Sequence, residues 1–276
     1  MFRHRCLAFL LATAVLIPAA CGAAVRLDPL QNDYAQYLVY AGTRLLGTEK
    51  FSFQPASDSV AVFANVDETL PTPNGDQKLV KKVQLMMKAL DYEVIGYGAE
   101  QHLFGQTLLR GVVVSDTLFT SYREANGRGI GDRYVRPPGR MFIIDSQTFV
   151  LFDVLLRSLH GKPATERTMP VFVLGDPRDT ILQVSLRPEP GDEKLAWGKD
   201  TLNTRRYTIS DGSTEFVAWI GPDGRMLRLE QPASGLRVIR DPKPLADPTA
   251  PPPAKKPAAK KAPATKSAPP AKPPAR

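Results

Sequence analysis

The chain has 276 residues, 43% hydrophobic and 23% charged, with a formal net charge of +8. Residues 248–276 carry seven cations and no acid, and Arg3 and Arg5 add two more, so residues 22–247 sum to about −1 and the basic character belongs to the appendages. The only cysteines, Cys6 and Cys21, lie near the start, which excludes disulfides and thiolate chemistry from everything downstream.

In residues 1–24, Arg3, His4 and Arg5 precede an apolar run over 6–17, then Pro18 and small residues as far as Ala24. This is the pattern of a secretory signal peptide, expected to be removed. Its apolar run is shorter than the roughly 20 residues that span a bilayer, and no later run is longer, so no transmembrane segment is expected in the mature chain. Ordinary cleavage within Gly22-Ala23-Ala24 is the preferred reading. Lipidation of Cys21, which follows Ala19-Ala20 and precedes Gly22, is the alternative. The chain is therefore read as exported to the periplasm or cell envelope, with a lipid anchor at Cys21 as the alternative to a free form.

Residues 25–245 are long enough for one substantial core and show the marks of an antiparallel β domain. Asn74-Gly75, Asn126-Gly127, Asp211-Gly212 and Asp223-Gly224 each lie between apolar stretches and suit hairpin turns. Apolar residues recur every second position: Val60, Val62, Ala64 and Val66 alternate with Asn65 and Asp67, and Leu182, Val184 and Leu186 alternate with Gln183, Ser185 and Arg187. Further strands are predicted over 35–40, 45–53, 78–89, 92–97, 108–115, 118–124, 140–144, 169–174, 194–198, 205–210, 214–220, 225–230 and 236–240. Short connections predict that sequential strands pair as antiparallel meanders. One segment differs, because over 146–158 Phe149, Phe152, Leu155 and Leu156 fall on one face, joined by Leu159 just beyond. Asp145 or Ser146 is available as cap and Gly161-Lys162-Pro163 as the stop. The fold class is thus all-β: a curved antiparallel sheet or partial barrel of many strands, with one central amphipathic helix plugging its concavity.

The closing segments KLAWGKDTLNTRRYTIS, STEFVAWIGPDGRMLRLEQ and GLRVIR, over 194–240, include a strand ending at Trp219, the Asp223-Gly224 turn and a returning strand over 225–229. In these features the chain resembles the exported bacterial β-proteins grouped as domain of unknown function 3108. The resemblance covers about residues 33–240. It implies a shape similar to curved-sheet envelope carriers that shelter apolar ligands, and it transfers no catalytic residue.

The residues themselves offer little catalysis. His102 and His160 stand alone, with no second histidine or cysteine to complete a metal site, and no serine sits in a Gly-x-Ser-x-Gly turn. His160 is read as a partner for the carbonyl end of the helix. Gly127-Arg128-Gly129-Ile130-Gly131-Asp132 lacks the Lys-Ser/Thr end of a phosphate loop and is read as a flexible hairpin loop. Around it Arg123, Arg128, Arg133, Arg136 and Arg140 form a candidate anion site, weighed against a solvated loop with local ion pairs. Asp67-Glu68 and Asp192-Glu193 are read as solvated turn charges. Trp197, Trp219, Tyr207 and Phe216, with Phe149 and Phe152, would line any cavity that the sheet encloses. No cofactor and no metal are implied.

Residues 246–276 form a Pro/Ala/Lys-rich tail that is too poor in apolar surface to fold and is expected to be disordered. Lys255, Lys256, Lys260, Lys261, Lys266 and Lys272 would contact an anionic envelope polymer or lipid; export makes nucleic acid an unlikely partner. Functionally, the sequence is read as a non-enzymatic envelope protein that binds an apolar or amphipathic ligand, such as a lipid, or a protein partner. One alternative is a structural envelope protein tethered by its tail, and another is a carbohydrate-active enzyme working with carboxylates.

Overall fold

The computed structural model describes residues 32–175, 178–243 and 245. Cys21 and the tail lysines at 255–272 lie outside the described residues. The strands are β1 (Asp33–Ala41), β2 (Arg44–Pro55), β3 (Ser59–Thr72), β4 (Gly75–Lys88), β5 (Val94–Leu103), β6 (Gln106–Val114), β7 (Leu118–Ala125), β8 (Arg128–Val135), β9 (Phe142–Asp145), β10 (Arg167–Leu174), β11 (Thr180–Trp197), β12 (Asp200–Ser210), β13 (Glu215–Ile220), β14 (Met226–Gln231) and β15 (Leu236–Arg240). A single helix, α1 (Val150–Arg157), lies between β9 and β10.

All fifteen strands belong to one sheet, ordered β8 to β1, then β15 down to β9. Two meanders, β1–β8 and β9–β15, thus meet where β1 pairs with β15, Tyr37 opposite Arg240 and Leu38 opposite Ile239. The four Asn-Gly and Asp-Gly turns join β3 to β4, β7 to β8, β12 to β13 and β13 to β14. At the second of these Asn126 and Gly127 have φ of 52° and 73°, the left-handed pair that a tight hairpin demands.

Three expectations are corrected. The sheet is not antiparallel throughout: β9 and β10 are parallel, because the connection between them passes through α1, the crossover that parallel neighbours require. The supposed flexible loop at 127–132 is mostly β8, paired with β7 from Leu118 opposite Val135 to Ala125 opposite Arg128. Its glycines and arginines hid it, since an edge strand with almost no buried side chain shows no apolar alternation. The segments predicted at 182–186 and 194–198 belong to one strand, β11, which shifts register between Pro188 and Asp192; prolines at 188 and 190 bend that strand without ending it.

The sheet curls until its ends approach. Strands β8 and β9 terminate it and do not pair with each other, but side chains bridge the seam. Phe119 of β7 stacks on Phe172 of β10 at 5.8 Å, and Tyr134 of β8 meets the same ring edge-on at 5.0 Å. The Tyr97 hydroxyl of β5 donates to Asp145 Oδ2 of β9 at 2.5 Å. The helix is buried along its whole length, polar residues included, so it is enclosed more fully than a one-sided amphipathic plug. Leu155 and Leu156 are 0% exposed.

Candidate ligand pocket and its buried charges

The helix is held by charges that the strands send inward. Asp33, Glu49, Glu68 and Lys81 each occupy the phase of their strand that otherwise carries core residues: Asp33 with Ala35, Tyr37 and Val39; Glu49 with Phe51 and Phe53; Glu68 with Val62, Ala64 and Val66; Lys81 with Leu79, Val83 and Leu85. Glu49, not Asp145 or Ser146, caps α1. Its carboxyl oxygens accept from the backbone N–H of Phe149 at 2.7 Å and of Val150 at 3.2 Å, satisfying orphan donors of the first turn. At the other end Arg157 donates to Asp153 one turn earlier and to Asp33, while Arg240 also donates to Asp33, and Asp153 accepts from the Met226 N–H at 2.9 Å. Burial alone would raise the Asp33 carboxyl, but Arg240 and Arg157 outweigh it and hold the group below its ordinary value.

A second cluster lies at the start of the helical connection. Lys81 Nζ sits 2.7 Å from Asp145 Oδ2 and donates to the Ser146 carbonyl at 2.8 Å, with both charged side chains essentially unexposed. Burial lowers the Lys81 pKa, while Asp145 opposes the shift. Arg110 approaches the other oxygen of Asp145 only to 4.0 Å. Burial pushes Glu49 up to about 8, the helix N–H groups of Val150 and Phe149 opposing, and pushes Glu68 up to about 7 against the pull of Lys81.

Beside this cluster a cavity of about 390 Å³ opens between the two meanders and the first turn of α1. Its walls are apolar: Leu46, Ile144, Phe149, Phe152, Leu182 and Phe216 among others. Its buried polar residues are Glu68 and Asp145, while the half-buried Gln147, Ser210, Asp211, Thr214 and Gln231 and the exposed Ser146 complete the polar part of the lining. Glu68 is 1% exposed, and its Oε1 has no hydrogen-bond partner; the same is true of Asp145 Oδ1. Gly47 of β2 sets the local geometry, since a Cβ there would overlap the Asp67 carbonyl oxygen and lie 2.6 Å from the Glu68 Cα. Only glycine lets β2 approach β3 this closely.

The aromatic candidates divide. Phe149, Phe152 and Phe216 line the cavity, the last two with ring centroids 4.9 Å apart. Tyr207 lines a second, more polar cavity with His160 and Asn203. Trp197 and Trp219 line neither: Trp197 donates to the Arg240 carbonyl at 3.1 Å, and Trp219 donates to Glu193 at 3.1 Å beneath the Arg228 guanidinium.

The five arginines do not converge. Arg136 pairs with Glu93 and Arg140 donates to the Asp91 carbonyl at 2.9 Å, which ties both to the β4–β5 connection. Arg123 reaches the Gly175 carbonyl at 3.5 Å. Arg128 and Arg133 are exposed on β8. His102 contacts Glu100 and Thr107 on the surface, while His160 follows α1 and packs against the Gly224 turn. Asp192 and Glu193 are exposed, near Arg205 and Arg206, but they lie within β11 and not in a turn, which corrects that expectation. Asp67-Glu68 is a correction, because the pair lies within β3 and not in a turn: Asp67 is exposed beside Lys78, whereas Glu68 faces the core. Glu49, Glu68, Lys81 and Asp33 are the polar residues that sequence reasoning missed. The available signal was a charge in phase with an apolar alternation.

Among the described residues no group of three histidines, cysteines or carboxylates is placed to hold a metal, and no helix is long and apolar enough to cross a membrane. Comparison with family models, with curated proteins and with solved structures returns no match.

Proposed function

We propose that this is an exported envelope protein that binds an apolar or amphipathic small molecule in the cavity between its two meanders, without turning it over. The observation that carries the reading is the pairing of apolar walls with two buried carboxylates in one cavity. That is the composition of small-molecule sites, where hydrophobic side chains supply affinity and a few polar atoms fix orientation. The volume, about 390 Å³, is toward the lower end for such sites and suits one alkyl chain or ring system. The carbohydrate-hydrolase alternative would use the same two carboxylates, but Asp145 is already paired with Lys81 at 2.7 Å, and most of the lining is leucine, isoleucine, valine and phenylalanine. The basic tail would hold the protein against anionic lipid or polymer through salt-sensitive attraction.

Native mass spectrometry of protein purified from its own envelope tests the reading, with a co-purifying small molecule as the expected result. Leu182→Trp, which fills the cavity from its wall, should abolish that adduct and the uptake of an environment-sensitive apolar dye. Unchanged dye uptake in the filled variant would refute the assignment of the site.

A further inference from the structure

Resting on that reading of the cavity, we infer that it selects amphiphiles whose head donates hydrogen bonds and carries no negative charge, with Glu68 as the acceptor that reads the head. Three observations converge on this class. First, Glu68 and Asp145 are buried residues of the lining, and neither Glu68 Oε1 nor Asp145 Oδ1 has a hydrogen-bond partner. An ionised carboxylate is an acceptor only, so both oxygens want donors. Second, the nearby cations do not line the cavity. Lys81 is fully buried and gives its ammonium to Asp145 and the Ser146 carbonyl, and Arg110, which is not part of the lining, comes no nearer than 4.0 Å to Asp145 Oδ1. Third, the other walls are mostly apolar, and the polar residues among them, Ser146, Gln147, Ser210, Asp211, Thr214 and Gln231, are neutral or acidic, so none brings a positive charge to an anionic head.

A buried acceptor without a donor costs free energy, and a ligand that brings the donor recovers it. Alcohol, amide and ammonium heads meet that requirement. A carboxylate or phosphate head places an acceptor and a like charge against Glu68 and Asp145 in a water-poor site, and is rejected. Sites built around a buried polar group discriminate strongly for this reason, more strongly than apolar walls discriminate chain length.

The test uses three probes with the same alkyl chain, namely decanol, decylammonium and decanoate, titrated below their aggregation limits by dye displacement at about pH 8.5, well above the Glu68 value of about 7. The full protein should bind decanol and decylammonium at least about tenfold more tightly than decanoate. Glu68→Gln, which keeps the shape and adds a donor, should close that gap to about threefold or less while still binding decanol. Equal binding of all three probes by the unaltered protein, or a gap that persists in Glu68→Gln, would overturn the inference and leave the cavity reading standing. Failure of all three to bind, with Leu182→Trp taking up dye like the unaltered protein, would overturn both.

Discussion

Two carboxyls buried against the helix make the stability of this protein fall as pH rises. In the unfolded chain Glu49 and Glu68 ionise near 4.5, whereas in the folded protein they hold their protons to about 8 and about 7. Between these limits the folded state binds protons that the unfolded state has released, so each step upward in pH favours unfolding. At about 1.4 kcal/mol per pH unit, Glu49 removes about 5 kcal/mol over its window and Glu68 about 3 kcal/mol. Together they represent a large share of the 5–15 kcal/mol typical of a folded domain. Asp33 acts oppositely. Its lowered value contributes stability that is present above 3.8 and lost as the solution becomes more acid than that. The maximum is therefore expected between about pH 4 and 5. Urea unfolding followed by the fluorescence of Trp197 and Trp219, at several pH values from about 4.5 to 8.5, measures the slope directly. Glu49→Gln imitates the protonated carboxyl, so it should flatten the slope by about one proton and unfold at higher urea than the unaltered protein near pH 8. A stability independent of pH over this range, or an unchanged slope in Glu49→Gln, would refute the account.

Other substitutions probe the packing. Leu155→Ala should lower stability by about 2–5 kcal/mol, read as a shift in urea midpoint, because the side chain is fully buried on the enclosed helix. Arg157→Leu should cost about 3–5 kcal/mol at neutral pH, since it leaves Asp33 and Asp153 with fewer partners, Arg240 and the Met226 N–H among those that remain, and the loss should shrink in acid as Asp33 protonates. Gly47→Ala should destabilise by about 1–3 kcal/mol and also weaken dye uptake, because the added Cβ forces β3 to move at Glu68.

Strand positions were legible wherever one face is buried. The alternations at Val60–Val66 and Leu182–Leu186 read directly as half-buried strands, and the Asn-Gly and Asp-Gly pairs marked true hairpins. Strand β8 was not legible, because a solvent-exposed edge needs no pattern. The helix was found from its apolar spacing, yet its cap was not: Glu49 lies about a hundred residues away, and only the curl of the sheet brings it to the first turn. The candidate site was half legible. Phe149, Phe152 and Phe216 read as cavity residues from their aromatic character alone, whereas Glu68 is hidden by its neighbour Asp67, since an adjacent acidic pair reads as a solvated turn. Counting by twos from Val62 places Glu68 on the core face. A charge in that register is the mark that the pattern carried.

The pairing of β1 with β15 makes the chain's entry and exit neighbours. Tyr37 lies opposite Arg240, the Asp241 N–H donates to the Gln36 carbonyl at 2.9 Å, and the Gln36 amide reaches the Asp241 side chain. Every other strand pairing joins neighbours in sequence, so this junction bears most of the loop-closure entropy of the sheet. A circularly permuted chain, with the end of β15 joined to the start of β1 by a short linker and new termini cut at Asn74-Gly75, would turn the most distant pairing into a hairpin. It should fold faster than the natural order while keeping the same cavity.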